Sequence, residues 1–169
     1  MSLYERRPPL VADERTQLVG WLDLQRVLVR HKLEGLRAED EHRAVLPESP
    51  LMTPAGLVSH MRWTEHCWFN VIFLGEPEET NPQFRKDLPF NADMMADGVP
   101  LARLLDEFEA QYARSNEITA AHSLDDVGGQ PDHAPTLRWI LIHMVEETAR
   151  HVGHLDAMRE LLDGRKGYY

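Results

Sequence analysis

Two segments of the sequence carry residue types that bind divalent metals, at spacings that place them on one side of a helix. Glu147 and His151 are four residues apart in HMVEETARHVGHLDAMRE, and side chains at this spacing project to the same side, about 6 Å apart at Cβ. His60 lies within the apolar arc of an earlier segment, LVSHMRWTEHCWF. Three such groups on two helices could hold one metal ion and leave a coordination position open for water or substrate.

Each of these residues also has an ordinary structural interpretation. A buried Glu147 could form an ion pair with Arg150, Arg138 or another arginine, and a lone inward-facing histidine is more often a core residue with one hydrogen bond. The combination of His60, Glu147 and His151 favours a metal site. A His/Glu/His set suits Zn²⁺, Ni²⁺ or Fe²⁺, and we expect zinc or nickel as the divalent cofactor.

Two residues near His60 are interpreted as structural. His66 falls outside the apolar arc of its helix and is expected at the surface. Cys67 falls inside the arc, where a buried core cysteine is more common than a nucleophile or a soft metal ligand.

Four stretches with helical periodicity must position these side chains. Asp13 and Thr53, the latter followed by Pro54, are typical helix N-caps, and Gly164 is a typical C-terminal residue. Four long amphipathic helices in one chain predict an all-α four-helix bundle, formed by a single domain over residues 1–169. The predicted helices cover about residues 13–37, 53–74, 101–122 and 134–162.

The connection from Gly75 to Pro100 stands apart from these helices. It contains four prolines and little periodicity. Loops of this length are uncommon in compact domains and are often functional. Such a connection also means that the second and third helices need not form a tight antiparallel hairpin, but its role stays open from sequence alone.

Composition excludes several classes of protein. The net charge is −10, which disfavours binding to nucleic acids and to anionic membranes. A single cysteine rules out an intramolecular disulfide and a zinc ribbon. No apolar run approaches the ~20 residues that span a bilayer, and the N-terminal segment has no apolar signal core. We therefore expect a cytoplasmic protein.

The same segments resemble a known family. LVSHMRWTEHCWF, followed by TLRWILIHMVEETARHVGH, is similar to the DinB/YfiT-like metalloprotein superfamily. The similarity is greatest to the actinobacterial branch that contains mycothiol-dependent maleylpyruvate isomerase, and it extends from about residue 13 to 163. By position, the metal ligands of the family fall on His60, Glu147 and His151. Glutamate at 147, where many members of the superfamily have histidine, favours the thiol-dependent branch.

The resemblance implies an up-up-down-down bundle, a homodimer, and S-transferase or isomerase chemistry with mycothiol as a possible thiol cosubstrate. The isomerase has a further C-terminal domain, and because this sequence ends at Tyr169 we do not expect isomerase activity. The leading hypothesis is a metal-dependent thiol transferase acting on a small electrophile. The alternatives are a hydrolase that uses a metal-bound water and a non-catalytic dimeric bundle that binds a small ligand.

Overall fold

Four long helices account for most of the computed structural model, which describes residues 4–131 and 134–167. No β-strand forms within these ranges, although an isolated bridge joins Val127 and Thr136. The predicted all-α four-helix bundle is therefore confirmed. None of the described helices is both long and apolar enough to cross a lipid bilayer. The helices are α1 (Glu14–Leu33), α2 (Pro54–Glu65, continuing as a π-helical segment, His66–Phe73), α3 (Leu101–Ala121) and α4 (Leu137–Asp163).

Most helix ends follow local capping chemistry. The Asp13 carboxylate accepts a hydrogen bond from the backbone N–H of Thr16, and the Thr53 hydroxyl accepts one from Gly56. These bonds satisfy backbone donors that have no partner inside the first turn. Gly164 ends α4 with a φ of 75°, a conformation that glycine adopts without strain. All three predicted end signals are confirmed.

Two predicted boundaries need correction. α1 ends at Leu33 rather than near residue 37, because Gly35 adopts a φ of 70° and turns the chain out of the helix. α4 begins after Thr136, whose side chain caps the helix by accepting from Trp139. Pro135 therefore precedes the cap instead of lying in the first turn.

α1 and α4 are parallel neighbours along most of their length. Glu14 pairs with Arg138 where both helices begin, at 2.7 Å. Near their other ends Lys32 pairs with Asp156, at 2.8 Å.

α3 runs opposite to α1. The Arg15 guanidinium, at the start of α1, donates to the carbonyl of Thr119 near the end of α3 at 2.6 Å. Arg30, near the end of α1, pairs with Asp106 near the start of α3 at 2.7 Å.

α2 and α3 are parallel to each other. Arg62 pairs with Glu107 at 3.1 Å, and further along both helices Gln111 donates to the side chain of Asn70 at 3.0 Å. The order of directions is therefore up-down-down-up, and the expected up-up-down-down order is wrong. Periodicity defines helices but not their directions, which contacts between helices decide.

Parallel α2 and α3 explain the long connection over residues 75–100. The chain leaves α2 at one end of the bundle and must return to the other end before α3 begins, a distance of about 30 Å for 20 helical residues. The sequence left open whether this pair forms a tight antiparallel hairpin, and in the structure it does not.

A polar layer interrupts the apolar interior. One apolar cluster surrounds Leu57, Phe108 and Leu155, and a second surrounds Phe69 and Ile140. On α2, α3 and α4, the residues between the two clusters include buried polar side chains. These are Thr64, Glu65, Ser115, Thr148 and His151.

Candidate metal centre

His60 on α2 and the Glu147–His151 pair on α4 meet in the polar layer. Glu147 Oε1 lies 3.0 Å from His151 Nε2 and 3.4 Å from His60 Nε2. The two imidazole rings meet edge to face with centroids 4.8 Å apart. One potential ligand atom from each residue lies within 4.8 Å of the others. The structure thus brings together all three side chains predicted from the sequence.

Two of the three spacings between these ligand atoms match those around a tetrahedral ion, and the third is no longer than 4.8 Å. Zinc bonds to histidine nitrogen and carboxylate oxygen are about 2.0–2.1 Å long, which places neighbouring tetrahedral ligand atoms about 3.3 Å apart. The distances from Glu147 to the two histidines bracket that value. The three side chains are partly accessible, at 21% for His60, 16% for Glu147 and 11% for His151. They could therefore hold an ion with one side open to a ligand.

The charges in the cluster favour a cation. Hydrogen bonds from His151 and His60 hold the pKa of Glu147 far below its ordinary value. Burial by itself would lower the pKa of His60, but hydrogen bonds to Asp93 and Glu147 outweigh burial and raise it to about 9. Without a metal, the carboxylates of Asp93 and Glu147 therefore favour the protonated form of His60. A divalent ion would replace that positive charge.

Glu147 does not use the arginine partners that the alternative interpretation required. Arg150 pairs with Glu146, and Arg138 pairs with Glu14 and with Asp125. The carboxylate of Glu147 instead faces the two imidazoles.

The sequence did not indicate which residue binds the His60 ring on the side opposite Glu147. Asp93, in the connection over residues 75–100, accepts a hydrogen bond from His60 Nδ1 at 2.5 Å. That bond occupies the ring nitrogen facing away from Glu147. A sequence signal existed: an inward histidine needs a partner for its second nitrogen, and a long aperiodic connection can supply one.

Three further polar residues of α4 have distinct partners. His154 Nδ1 lies 3.3 Å from His151 Nδ1, so one of these nitrogens donates to the other and orients the His151 ring. Asp156 pairs with Lys32 and lies outside the cluster. His143 stacks on Trp139 with ring centroids 5.1 Å apart.

Two predictions about neighbours of His60 have different outcomes. His66 is not a surface residue: it is half-buried, packs edge to face on Trp63 and contacts Asn81 of the long connection. The surface prediction is wrong because the connection covers this side of α2. Cys67 is buried as predicted, and burial raises the pKa of its thiol to about 12.

Aromatic side chains continue along α2 and α4 beyond the cluster. The ring of Trp68 lies 5.1 Å from that of Trp139 and 4.6 Å from that of His143, between centroids. Trp139 is 47% exposed.

Comparison with known proteins adds an independent finding. The model of the Mycothiol-S-transferase family (MST) matches residues 17–164, a range that includes His60, Glu147 and His151. No curated protein and no solved structure gave a significant match. The family match covers well over half of the chain and agrees with the resemblance noted in the sequence. The chain therefore belongs to the mycothiol-S-transferase family.

Proposed function

We propose that this protein is a metal-dependent S-transferase that joins the thiol of mycothiol to a small electrophile. One observation carries the proposal: in a member of this family, His60, Glu147 and His151 place potential ligand atoms within 4.8 Å of one another. In this proposal His60 Nε2, Glu147 Oε1 and His151 Nε2 hold the divalent ion.

A divalent ion at this position lowers the pKa of a thiol that binds to it and so provides a nucleophile at neutral pH. The thiol sulfur forms a bond to the electrophilic carbon of the substrate, and the bond from that carbon to its leaving group breaks. The thiol proton and the leaving group depart to solvent, so that a thiol and an electrophile give a thioether and an acid.

The residues of the chain have distinct tasks in this scheme. Glu147 carries a full negative charge, since hydrogen bonds from both histidines depress its pKa. This charge offsets part of the positive charge of the ion and makes the site less electrophilic than three histidines would. His154 orients the His151 ring, because a histidine ligand whose second nitrogen is bonded keeps its orientation.

The first experiment measures the metal content of untagged protein by plasma mass spectrometry. We expect near-stoichiometric zinc or nickel in the wild type and loss of metal in His60→Ala, His151→Ala and Glu147→Gln. Glu146→Gln is the matched control, because Glu146 is the neighbouring carboxylate but is exposed and pairs with Arg150. A wild-type protein that is isolated empty and takes up no added metal would refute the proposal.

A second experiment measures conjugation of mycothiol to a panel of chlorinated and brominated electrophiles by mass spectrometry. We expect thioether formation by the metal-loaded wild type and by Glu146→Gln, and none by folded His151→Ala. Full activity in His151→Ala contradicts the proposal. Turnover of an ester or amide without added thiol would favour a metal-dependent hydrolase, and metal-independent ligand binding would favour the non-catalytic bundle.

Several finer points stay predictions. These are zinc or nickel as the metal, the single domain over residues 1–169, the cytoplasmic location and the homodimer. Light scattering coupled to size-exclusion chromatography tests the dimer, for which we expect about twice the chain mass of 19.5 kDa.

A further inference from the structure

We propose that Asp93 is a positioning residue for His60, and that the connection over residues 75–100 exists in part to deliver it. In this proposal Asp93 fixes the His60 ring so that Nε2, rather than Nδ1, faces Glu147 and His151. The inference rests on the proposed role of His60 as a metal ligand, but it concerns residues of this chain that can be tested without a metal.

Asp93 is itself held firmly. It is buried, with 5% of its surface exposed. Its Oδ2 accepts from His60 Nδ1 at 2.5 Å and from Gln83 Nε2 at 2.9 Å. Its backbone carbonyl accepts from the hydroxyl of Ser59 at 2.6 Å. Because Ser59 and His60 are adjacent on α2, the main chain and the side chain of Asp93 bind the same turn of the helix.

The segment that carries Gln83 is also attached to α2. Asn81 is fully buried, and its side-chain amide donates to the carbonyl of Trp63 at 2.8 Å. Its side-chain oxygen accepts from the backbone N–H of Gln83 at 3.0 Å. Trp63 lies just before the π-helical segment that starts at His66. The connection therefore contacts α2 on both sides of His60 in sequence, through Ser59 and through Trp63.

An imidazole ring needs such a restraint to act as a ligand. Rotation about its terminal torsion has broad, roughly two-fold preferences, so either nitrogen could face the cluster. A hydrogen bond that fixes the proton on one nitrogen leaves the other with a free electron pair directed at the metal. Asp93 supplies this bond to His60. The negative charge of its carboxylate also makes Nε2 a stronger electron-pair donor to a metal ion.

The test compares zinc affinities by competition with a chromophoric chelator. Loss of a partner behind a metal ligand typically weakens binding about 10- to 100-fold, and we expect a loss in that range for Asp93→Ala. Asp93→Asn keeps an oxygen acceptor for Nδ1 but not the charge, so its loss should be smaller. Asp87→Asn is the matched control, since Asp87 lies in the same connection but is exposed and pairs with Arg85, and its affinity should not change.

A second readout needs no metal. A hydrogen-bonded imidazole N–H gives a proton resonance far downfield, and we expect this signal from His60 in metal-free wild type and Asp87→Asn. It should shift upfield in Asp93→Asn and vanish in Asp93→Ala. Circular dichroism checks folding, and if Asp93→Ala does not fold, the shift in Asp93→Asn decides.

The outcomes separate this inference from the proposed function. If the wild type binds no zinc, the proposed function fails, whereas the imidazole signal still decides whether Asp93 fixes the ring. If the wild type binds zinc, an unchanged zinc affinity in folded Asp93→Ala overturns the inference. An imidazole signal that is the same in wild type and Asp93→Asn overturns it as well.

Discussion

Two clusters hold charged or titratable groups away from bulk water. One is formed by Arg26 and Glu65, and the other by His60, Glu147 and His151. Arg26 and Glu65 are each 1% exposed and form two direct bonds, from Nε at 2.6 Å and from a terminal nitrogen at 2.8 Å. In the histidine cluster, a single oxygen of Glu147 faces both imidazoles.

The difference lies in how each region balances its charge. In the first region the guanidinium of Arg26 contacts the carboxylate of Glu65. A further N–H group of Arg26 donates to the side chains of Asn116 and Asp23. In the second region the carboxylates of Asp93 and Glu147 contact imidazole rings rather than a guanidinium. The Arg26–Glu65 cluster balances its buried charges with side chains of the protein. The histidine cluster balances the charges of its carboxylates only when it gains a proton or a metal ion. A buried charged group is therefore structural where another side chain of the protein supplies its counter-charge. Where none does, the group indicates a binding site.

Glu65→Gln tests whether the Arg26–Glu65 pair stabilises the fold. It leaves the Arg26 guanidinium buried without its main counter-charge, and removing one partner of a buried ion pair costs about 3–5 kcal/mol. We expect a loss near the lower limit, about 3 kcal/mol, because glutamine keeps one oxygen acceptor. Urea denaturation measures it. Zinc affinity of the folded variant should not change, and a loss of affinity would mean that the two regions are coupled.

Glu147→Gln, the same substitution in the histidine cluster, should strongly weaken zinc binding and have the smaller effect on stability. Zinc affinity should fall more than about 100-fold, since a direct ligand matters more than a partner behind it. The metal-free protein should lose less stability than the ~3 kcal/mol expected for Glu65→Gln, because the side chain is partly solvated and no buried arginine loses its partner. Chelator competition and urea denaturation measure the two quantities. A stability loss as large as that of Glu65→Gln would make the cluster structural.

In these two regions the sequence could predict only residues that lie on regular helices, where periodicity indicates which side chains face inward. Helical periodicity placed Glu147 and His151 on one side of α4 and His60 within the apolar arc of α2, because each lies on a regular helix. Arg26 and Glu65 were missed although each falls within an apolar stretch of its helix, which is the signal of a buried, paired charge. Asp93 was beyond reach, because no period relates a residue in an irregular connection to a helix face. Helix directions were wrong for a similar reason, since they depend on contacts between distant residues.

The stability of the metal-free protein should also depend on pH, through the protonation of His60. The folded-state pKa of His60 is raised from 6.5 to about 9, so its stabilising contribution is fully present below pH 6.5 and is lost as the pH rises through 9. In chelator-treated protein we expect a loss on the order of 2 kcal/mol across this range. Arg26 stays charged throughout, so Glu65→Gln should keep this dependence and His60→Asn should lose it. A flat profile in the wild type would mean that His60 is neutral without metal.

Cys67 extends the comparison to a buried group that needs no counter-charge, and its removal should have the smallest effect. The thiol is 8% exposed, and burial raises its pKa to about 12, so it stays neutral where His60 titrates. We expect Cys67→Ala to cost ~1 kcal/mol, as for other small deletions in a core, and to leave zinc affinity unchanged. In the wild type, a disulfide reagent at mildly alkaline pH should react with this thiol only after unfolding. Rapid reaction in the folded protein, or loss of zinc in Cys67→Ala, would instead place Cys67 in the metal centre, because only a thiolate is a strong nucleophile or ligand.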